Sequence, residues 1–197
     1  MGQVYAYSIG ERLYLNITNR CPNRCIFCIR NNEKGVGYDL WLDREPSAAE
    51  VLAAAGDVGA YREVVFCGYG EPLLRWEVVV EVARALKTRY GVSIRVNTNG
   101  LAEALLKQRI LPHLKGLVDT ISISLNAADA ATYERLCQSS LGSEAYPALL
   151  RFIRESKLFI PRVIVSVVQI ADFDPEPVRK LADELGVELR IRSYMVE

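Results

Sequence analysis

The stretch Asp119-Thr120-Ile121-Ser122-Ile123-Ser124-Leu125 alternates polar and apolar side chains with the period of two that belongs to a β-strand. Ile121, Ile123 and Leu125 form one face, and Ser122 and Ser124 the other. The stretch 92–97 repeats the pattern, with Ser93, Arg95 and Asn97 alternating with Val92, Ile94 and Val96. A parallel sheet covered by helices on both faces reads as continuous apolar runs. Polar faces on successive strands instead describe a sheet bent around a wet, concave interior, with helices outside.

Elements of the same two kinds alternate along the chain. Further strands are expected over 12–18 (RLYLNIT), 62–67 (REVVFC), 162–169 (RVIVSVVQ) and 187–193 (VELRIRS). Helices are expected over 47–56, opened by the capping box Ser47…Glu50, and over about 74–90, stopped by Gly91. Others follow from about 101 to 109, within 129–157, and from Asp174-Pro175 to Gly186, where Asp174 is the N-cap and Pro175 takes the first helical position. Six strands separated by helices make a parallel α/β sheet with right-handed crossovers. At roughly 30 residues per unit, six βα units fill the 197 residues, and a full eight-unit barrel of about 250 does not fit. An open doubly wound sheet and an incomplete barrel of six units remain. Strand polarity favours the partial barrel, with its site at the carboxyl ends of the strands.

Composition narrows the function. Lysine plus arginine (24) balances aspartate plus glutamate (24), which argues against a protein that coats nucleic acid. No apolar run approaches the ~18 residues of a membrane helix. Met1-Gly2-Gln3-Val4-Tyr5-Ala6 offers neither a signal-peptide core nor the hydroxyl residue of a myristoylation site. The expectation is one cytoplasmic domain over 1–197, with no membrane contact.

Three of the five cysteines, Cys21, Cys25 and Cys28, lie within eight residues. Disulfide frameworks spread even numbers of cysteines along a chain, so this crowding indicates ligands for one metal centre in a reducing compartment. A structural zinc site needs a fourth ligand, and Cys67, Cys137 and the single histidine, His113, stand in no paired spacing. A four-iron cluster can instead use three thiolates and leave one iron open.

Here the sequence resembles the radical S-adenosylmethionine (radical SAM) superfamily, whose signature is C-x3-C-x2-C with an aromatic residue, here Phe27, before the last cysteine. The signature belongs after the first strand of a partial (βα)6 TIM-type barrel, where it falls here. Cys67-Gly68-Tyr69-Gly70-Glu71-Pro72 resembles the family's GGEP turn, with Tyr69 in place of a glycine. In relatives this turn meets the amino group of SAM. Gly68 and Gly70 would let the backbone approach, and Glu71 would set a negative charge beside the ammonium. Asn97-Thr98-Asn99-Gly100 is similar to a T-N-G segment, and Ser124-Leu125-Asn126-Ala127 falls where relatives carry serine and a short polar residue. The resemblance implies that Asn97, Ser124 and Asn126 contact the SAM carboxylate or ribose, with Ser166 and Arg192 as further candidates. Arg192 reads equally as a salt-bridge partner, and Asn99 fits an Asx turn better than Asn97 does. The resemblance runs from Leu13 to about Tyr194 and is nearest to compact radical SAM proteins named for their genomic association with TatD-type nucleases.

The implied function is an enzyme that binds a [4Fe-4S] cluster through Cys21, Cys25 and Cys28, cleaves SAM reductively and abstracts hydrogen from an unidentified small molecule or protein. Its implied partners are a substrate and an electron donor such as flavodoxin or ferredoxin. The expectation is a single core domain with no cysteine-rich extension for auxiliary clusters. The alternative is a non-catalytic zinc- or iron–sulfur-binding interaction module. Cys67 and Cys137 are expected as buried free thiols, and His113 as a surface or packing residue. Arg20, Arg24, Arg30 and Lys34 are expected to form a solvated face around the cysteine loop that could attract an acidic donor. The aromatic loop 31–46, with Gly35, Gly37, Tyr38 and Trp41, is the candidate lid.

Overall fold

The computed structural model describes residues 3–32, 35–170 and 173–194. Lys34 therefore lies outside the described residues. Seven strands form one sheet in chain order: β1 (Ala6–Ile9), β2 (Arg12–Leu15), β3 (Glu63–Phe66), β4 (Ser93–Thr98), β5 (Thr120–Ser124), β6 (Arg162–Gln169) and β7 (Glu188–Ser193). Each of β2 to β7 pairs parallel with the next, so the six expected parallel strands are present. The order ends at β1 and β7, leaving the sheet open as in a partial TIM-type barrel.

The unexpected strand is β1, antiparallel to β2 with Tyr7 opposite Tyr14. Gly10, at φ +56°, takes the left-handed conformation that lets a two-residue turn join the strands. Four residues, Ala6-Tyr7-Ser8-Ile9, are too short a run to stand out as a strand by periodicity, but Gly10 between two alternating segments is a hairpin signal.

Helices α1 (Ala48–Ala55), α2 (Trp76–Tyr90), α3 (Ala102–Leu106), α4 (Leu111–Leu114), α5 (Ala130–Cys137), α6 (Ala145–Ser156) and α7 (Glu176–Leu185) connect the strands. Ser47 and Glu50 close the reciprocal capping box, and α2 stops at Gly91, φ +63°. The helical material expected within 129–157 is present as α5 and α6, separated at Gln138, which is left-handed. Three expectations change. The helix expected over 101–109 ends at Leu106 as α3, because Lys107 adopts a left-handed conformation, and α4 lies beyond it. The helix after Asp174 begins one residue later, with Pro175 as its cap, although the Asp174 carboxylate still accepts the Glu176 N–H. The first parallel strand ends at Leu15 rather than Thr18, since the chain turns into the cysteine loop.

The alternation sorts the side chains as expected. Ile94, Val96, Ile121 and Ile123 are fully buried beneath the helices, in one core that includes Leu86, Leu149 and Phe152. Arg95, Asn97, Ser122 and Ser124 share the opposite face, inside the curve of the sheet. α6 alone buries Tyr146, Leu149, Phe152 and Ile153, the i, i+3, i+4 spacing of a helix with one packed stripe.

Candidate active site

The chain leaves β2 directly into the cysteine loop, which is fastened to the far end of α5. Arg24 N–H donates to Cys137 O (3.0 Å), Ile26 N–H to Leu136 O (3.0 Å), and Ser140 N–H to Pro22 O (2.8 Å). The buried Asn23 side chain donates to Tyr133 Oη at 3.2 Å. These bonds hold Cys21, Cys25 and Cys28, all half-buried, at the carboxyl ends of the strands. Phe27 packs, half-buried, against the core beside Cys25.

Two donors approach the thiols. Asn99 Nδ2 lies 3.6 Å from Cys21 Sγ, and Arg30 Nε lies 3.4 Å from Cys28 Sγ. Burial pushes the Cys21 thiol up to about 11. Cys25 hydrogen-bonds with Cys137, and this bond raises its pKa. Among the described residues no three His, Cys, Asp or Glu side chains converge on one point.

Next to the loop, the turn after β3 is built around its two glycines. A Cβ at Gly68 would lie 2.0 Å from Asn16 Oδ1, and one at Gly70 would lie 2.3 Å from Thr18 O. Both glycines thus have a reason within the protein itself, because the turn lies directly on the strand that leads to Cys21. Glu71 N–H donates to Arg20 O at 2.8 Å, closing that contact. Tyr69 points away from the turn, into a small cluster with Tyr7 and Leu40, and meets the Trp41 ring edge-on at 5.1 Å. The aromatic substitution thus anchors the neighbouring loop.

Glu71 is 3% exposed, and its carboxylate is occupied inside the protein. It accepts from Leu73 N–H (3.0 Å), Thr98 Oγ1 (2.7 Å) and Asn99 N–H (2.6 Å). Burial raises its pKa to about 7 against these three donors. The side chain binds the end of β3 to the end of β4.

The inner face supplies further polar groups. Asn97 hydrogen-bonds with the Cys67 thiol, while its Oδ1 is buried without a partner. Asn126, left-handed at φ +59°, donates Nδ2 to Cys137 Sγ at 3.5 Å, and its Oδ1 also has no partner. Ser124 sits opposite Ser166 in the register of β5 and β6. The Ser166 carbonyl accepts the Leu125 and Asn126 N–H groups, which orders the β5 end. Arg192, on β7, is open to solvent yet close enough to interact with Cys67 and Cys25. Asn97, Asn126 and the three cysteines thus meet at one mouth, with Ser124 and Ser166 beside it and Arg192 across the lumen. Asn99 makes the Asx turn to Leu101 N–H at 3.0 Å and also reaches Cys21, a contact that turn chemistry alone does not announce.

Three expectations about the surroundings are corrected. The described residues of loop 31–46 are fastened rather than free, because Asn16 Nδ2 donates to Leu40 O at 2.8 Å and Asn19 exchanges bonds with Leu42 at 2.7 and 3.1 Å. Arg20 and Arg24 face solvent as expected, whereas Arg30 is half-buried. Arg20 is paired with Glu45 at 2.7 Å, and Arg30 also reaches Asn19 O and Asn23 O and lies over Trp41. Cys67 is half-buried and faces the interior of the curve, whereas Cys137 is fully buried as expected. His113 packs against Trp76, the ring centroids 4.6 Å apart and the planes tilted by 30°, the packing role expected of it.

Residues 15–185 match the family model of the radical SAM superfamily. The chain is 30% identical over 171 residues to a GTP 3′,8-cyclase of Lactiplantibacillus plantarum, covering 83% of this chain and 48% of that protein. It is 29% identical over 191 residues to a probable dual-specificity RNA methyltransferase RlmN of Thermosynechococcus vestitus, covering 92% and 53%. The chain therefore spans about half the length of these curated relatives. In fold it is similar to Streptococcus suis SuiB bound to the precursor peptide SuiA (TM-score 0.66, 17% identity, 96% of this chain and 40% of that one). Methylornithine synthase, PylB, is also similar (TM-score 0.62, 15% identity, 93% and 53%). Among the described residues no helix is long and apolar enough to cross a membrane. Members of the matched family use a [4Fe-4S] cluster and SAM, and with the signature cysteines at the mouth of this open barrel the chain belongs to the radical SAM superfamily.

Proposed function

We propose that this chain is a radical SAM enzyme in which Cys21, Cys25 and Cys28 hold the cluster and the strand ends beside them hold SAM. The observation that carries the reading is the pair of buried, unpartnered oxygens, Asn97 Oδ1 and Asn126 Oδ1, beside the pinned cysteine loop. Buried polar atoms without partners are rare and costly, so two at one mouth support a ligand with donors to offer. SAM brings an ammonium and ribose hydroxyls. The donor set fits the cluster as well: three thiols, with N–H groups of Asn99 and Arg30 directed at two of them.

When bound, the cluster supplies the single electron that cleaves SAM and yields a radical able to abstract hydrogen. The chain's own residues bind and position. The backbone of the Gly68–Glu71 turn meets the ammonium. Asn97, Ser124, Asn126 and Ser166 take the carboxylate and ribose. Glu71 acts through the turn, holding it against β4, since its carboxylate is occupied. Phe27 covers the cysteine loop on its core side. Radical SAM enzymes need a reductant, and the exposed Ile26, Arg24 and Trp41 beside the cysteine loop offer a docking surface for a small acidic donor such as flavodoxin or ferredoxin.

The test is metal analysis after anaerobic purification, followed by SAM titration of the reduced protein. The reading expects iron and sulfide in equal amounts and a change in the cluster's electron paramagnetic resonance signal as SAM binds. Colourless protein carrying zinc, with no SAM binding, would assign it to the interaction-module class instead.

A further inference from the structure

The inner face of the sheet carries more positive charge than the protein neutralises. Arg95 projects from β4 on the side of Asn97, opposite Ile94 and Val96, with its side chain only 8% exposed. Its Nη2 lies 3.3 Å from Glu63 Oε2, but the same oxygen already accepts Arg12 Nε at 3.0 Å. Arg95 Nε has no partner at all. Glu188, the other carboxylate along this face, is taken by both nitrogens of an Arg162 fork at 2.9 and 2.7 Å. Arg190 and Arg192 then remain on β7 without an ion-pair partner among the described residues. They alternate with Leu189, which packs toward the helices, and their register partners Ser166 and Val168 sit opposite the core-facing Val165 and Val167. Both arginines therefore face the lumen, and Arg192 feels Arg190, Cys67 and Cys25.

Arg95 is buried with an unused N–H that calls for an acceptor, and the two exposed guanidinium groups of β7 add positive charge to the same space, so the lumen is set up to attract an anion. Each fork matches two oxygens of a carboxylate or phosphate, which a lysine cluster would not do. We propose that the lumen binds an anionic substrate, its carboxylate or phosphate group gripped by Arg190 and Arg192 above the unpartnered Arg95. This inference rests on the radical SAM reading and names the substrate class for that site. It moves Arg192 from the cofactor contacts to the substrate. The SAM groups face the ends of β4 and β5, whereas the arginines of β7 stand across the lumen, and the thiol of Cys67 lies between.

Calorimetric titration of the cluster-reconstituted, SAM-loaded protein with pyrophosphate, and separately with malonate, tests the proposal. One-to-one binding of either anion is expected. Pyrophosphate alone marks a phosphate-bearing substrate, and malonate alone a carboxylate. Arg192→Gln and Arg190→Gln, both on the solvent-open strand, should each weaken that binding about tenfold or more. SAM affinity in Arg192→Gln should stay within about twofold of wild type. The proposal is overturned if neither anion binds to wild-type protein that binds and cleaves SAM, or if both variants bind the anion as wild type does. A fall in SAM affinity alongside the anion's would return Arg192 to the cofactor and overturn it too. Arginine-dependent anion binding by a protein that never cleaves SAM would sink the radical reading while leaving the anion site in place.

Discussion

The side-chain amide of Asn99 donates to Cys21 Sγ across 3.6 Å and so joins the end of β4 to the cysteine loop. The same residue gives its backbone N–H to Glu71, so one asparagine links the thiol, the glycine turn and the sheet. An N–H directed at a cluster thiolate stabilises the reduced, more negative state. Asn99→Ala should therefore keep the cluster but lower its reduction potential, on the order of tens of millivolts. A redox titration followed by electron paramagnetic resonance reads the shift, and an unchanged potential would remove Asn99 from the sulfur's surroundings.

The cysteines divide into two groups. Alanine at Cys21, Cys25 or Cys28 should each abolish the iron–sulfur absorbance, because three thiolates leave no spare ligand. Cys67→Ala and Cys137→Ala should retain iron and sulfide. Cys137 is the sharper control, since its thiol already bonds with Cys25. Loss of the cluster in Cys137→Ala would make this a four-thiolate site.

Gly70→Ala should destabilise the protein more than Gly68→Ala. At Gly70 the added methyl meets backbone, Thr18 O at 2.3 Å, which has no room to move without shifting the cysteine loop. At Gly68 it meets the Asn16 side chain, held by its bonds to Val4 O and Leu40 O. Overpacking of this kind costs about 1–3 kcal/mol, with Gly70 at or above the upper end. Urea unfolding of both variants checks the order, and equal midpoints would contradict it.

Glu71 makes stability depend on pH. Burial raises its folded-state pKa to about 7, above the unfolded value of 4.5, so the protonated form is the one folding favours. Its contribution is complete below pH 4.5 and is lost as pH rises through about 7. At about 1.4 kcal/mol per pH unit between those values, the swing is on the order of 3 kcal/mol. Urea midpoints across this range should fall more steeply with pH in wild type than in Glu71→Gln. Parallel profiles would show that the three donors, not burial, govern the carboxyl.

Much of this arrangement was legible in the sequence where a repeat or a spacing carried it. The two-residue alternation at 92–97 and 119–125 separated the core face from the lumen face, and the cysteine spacing placed the loop at the right strand end. Contacts between distant segments left no such trace. Nothing local ties Cys137 to Cys25, Arg30 to Cys28 or Asn16 to the loop at Leu40, because each depends on how far apart the fold carries its partners. The same holds for Glu71, whose charge suggested a ligand contact until Thr98 and Asn99 were seen to occupy it. The lid expectation changed for a related reason: length and aromatic content describe loop 31–46, but Asn16 and Asn19 fasten its described residues.

The measurement that bears most directly on the central claim is anaerobic incubation of the reconstituted protein with dithionite and SAM, followed by chromatography of the nucleosides. Wild type should release 5′-deoxyadenosine and methionine slowly, even without substrate, because on the proposed reading the mouth holds both cluster and SAM, and dithionite supplies the electron. Cys25→Ala should release none. Iron- and sulfide-replete, SAM-saturated wild-type protein that forms no 5′-deoxyadenosine, alone or with anionic candidate substrates, would contradict the account.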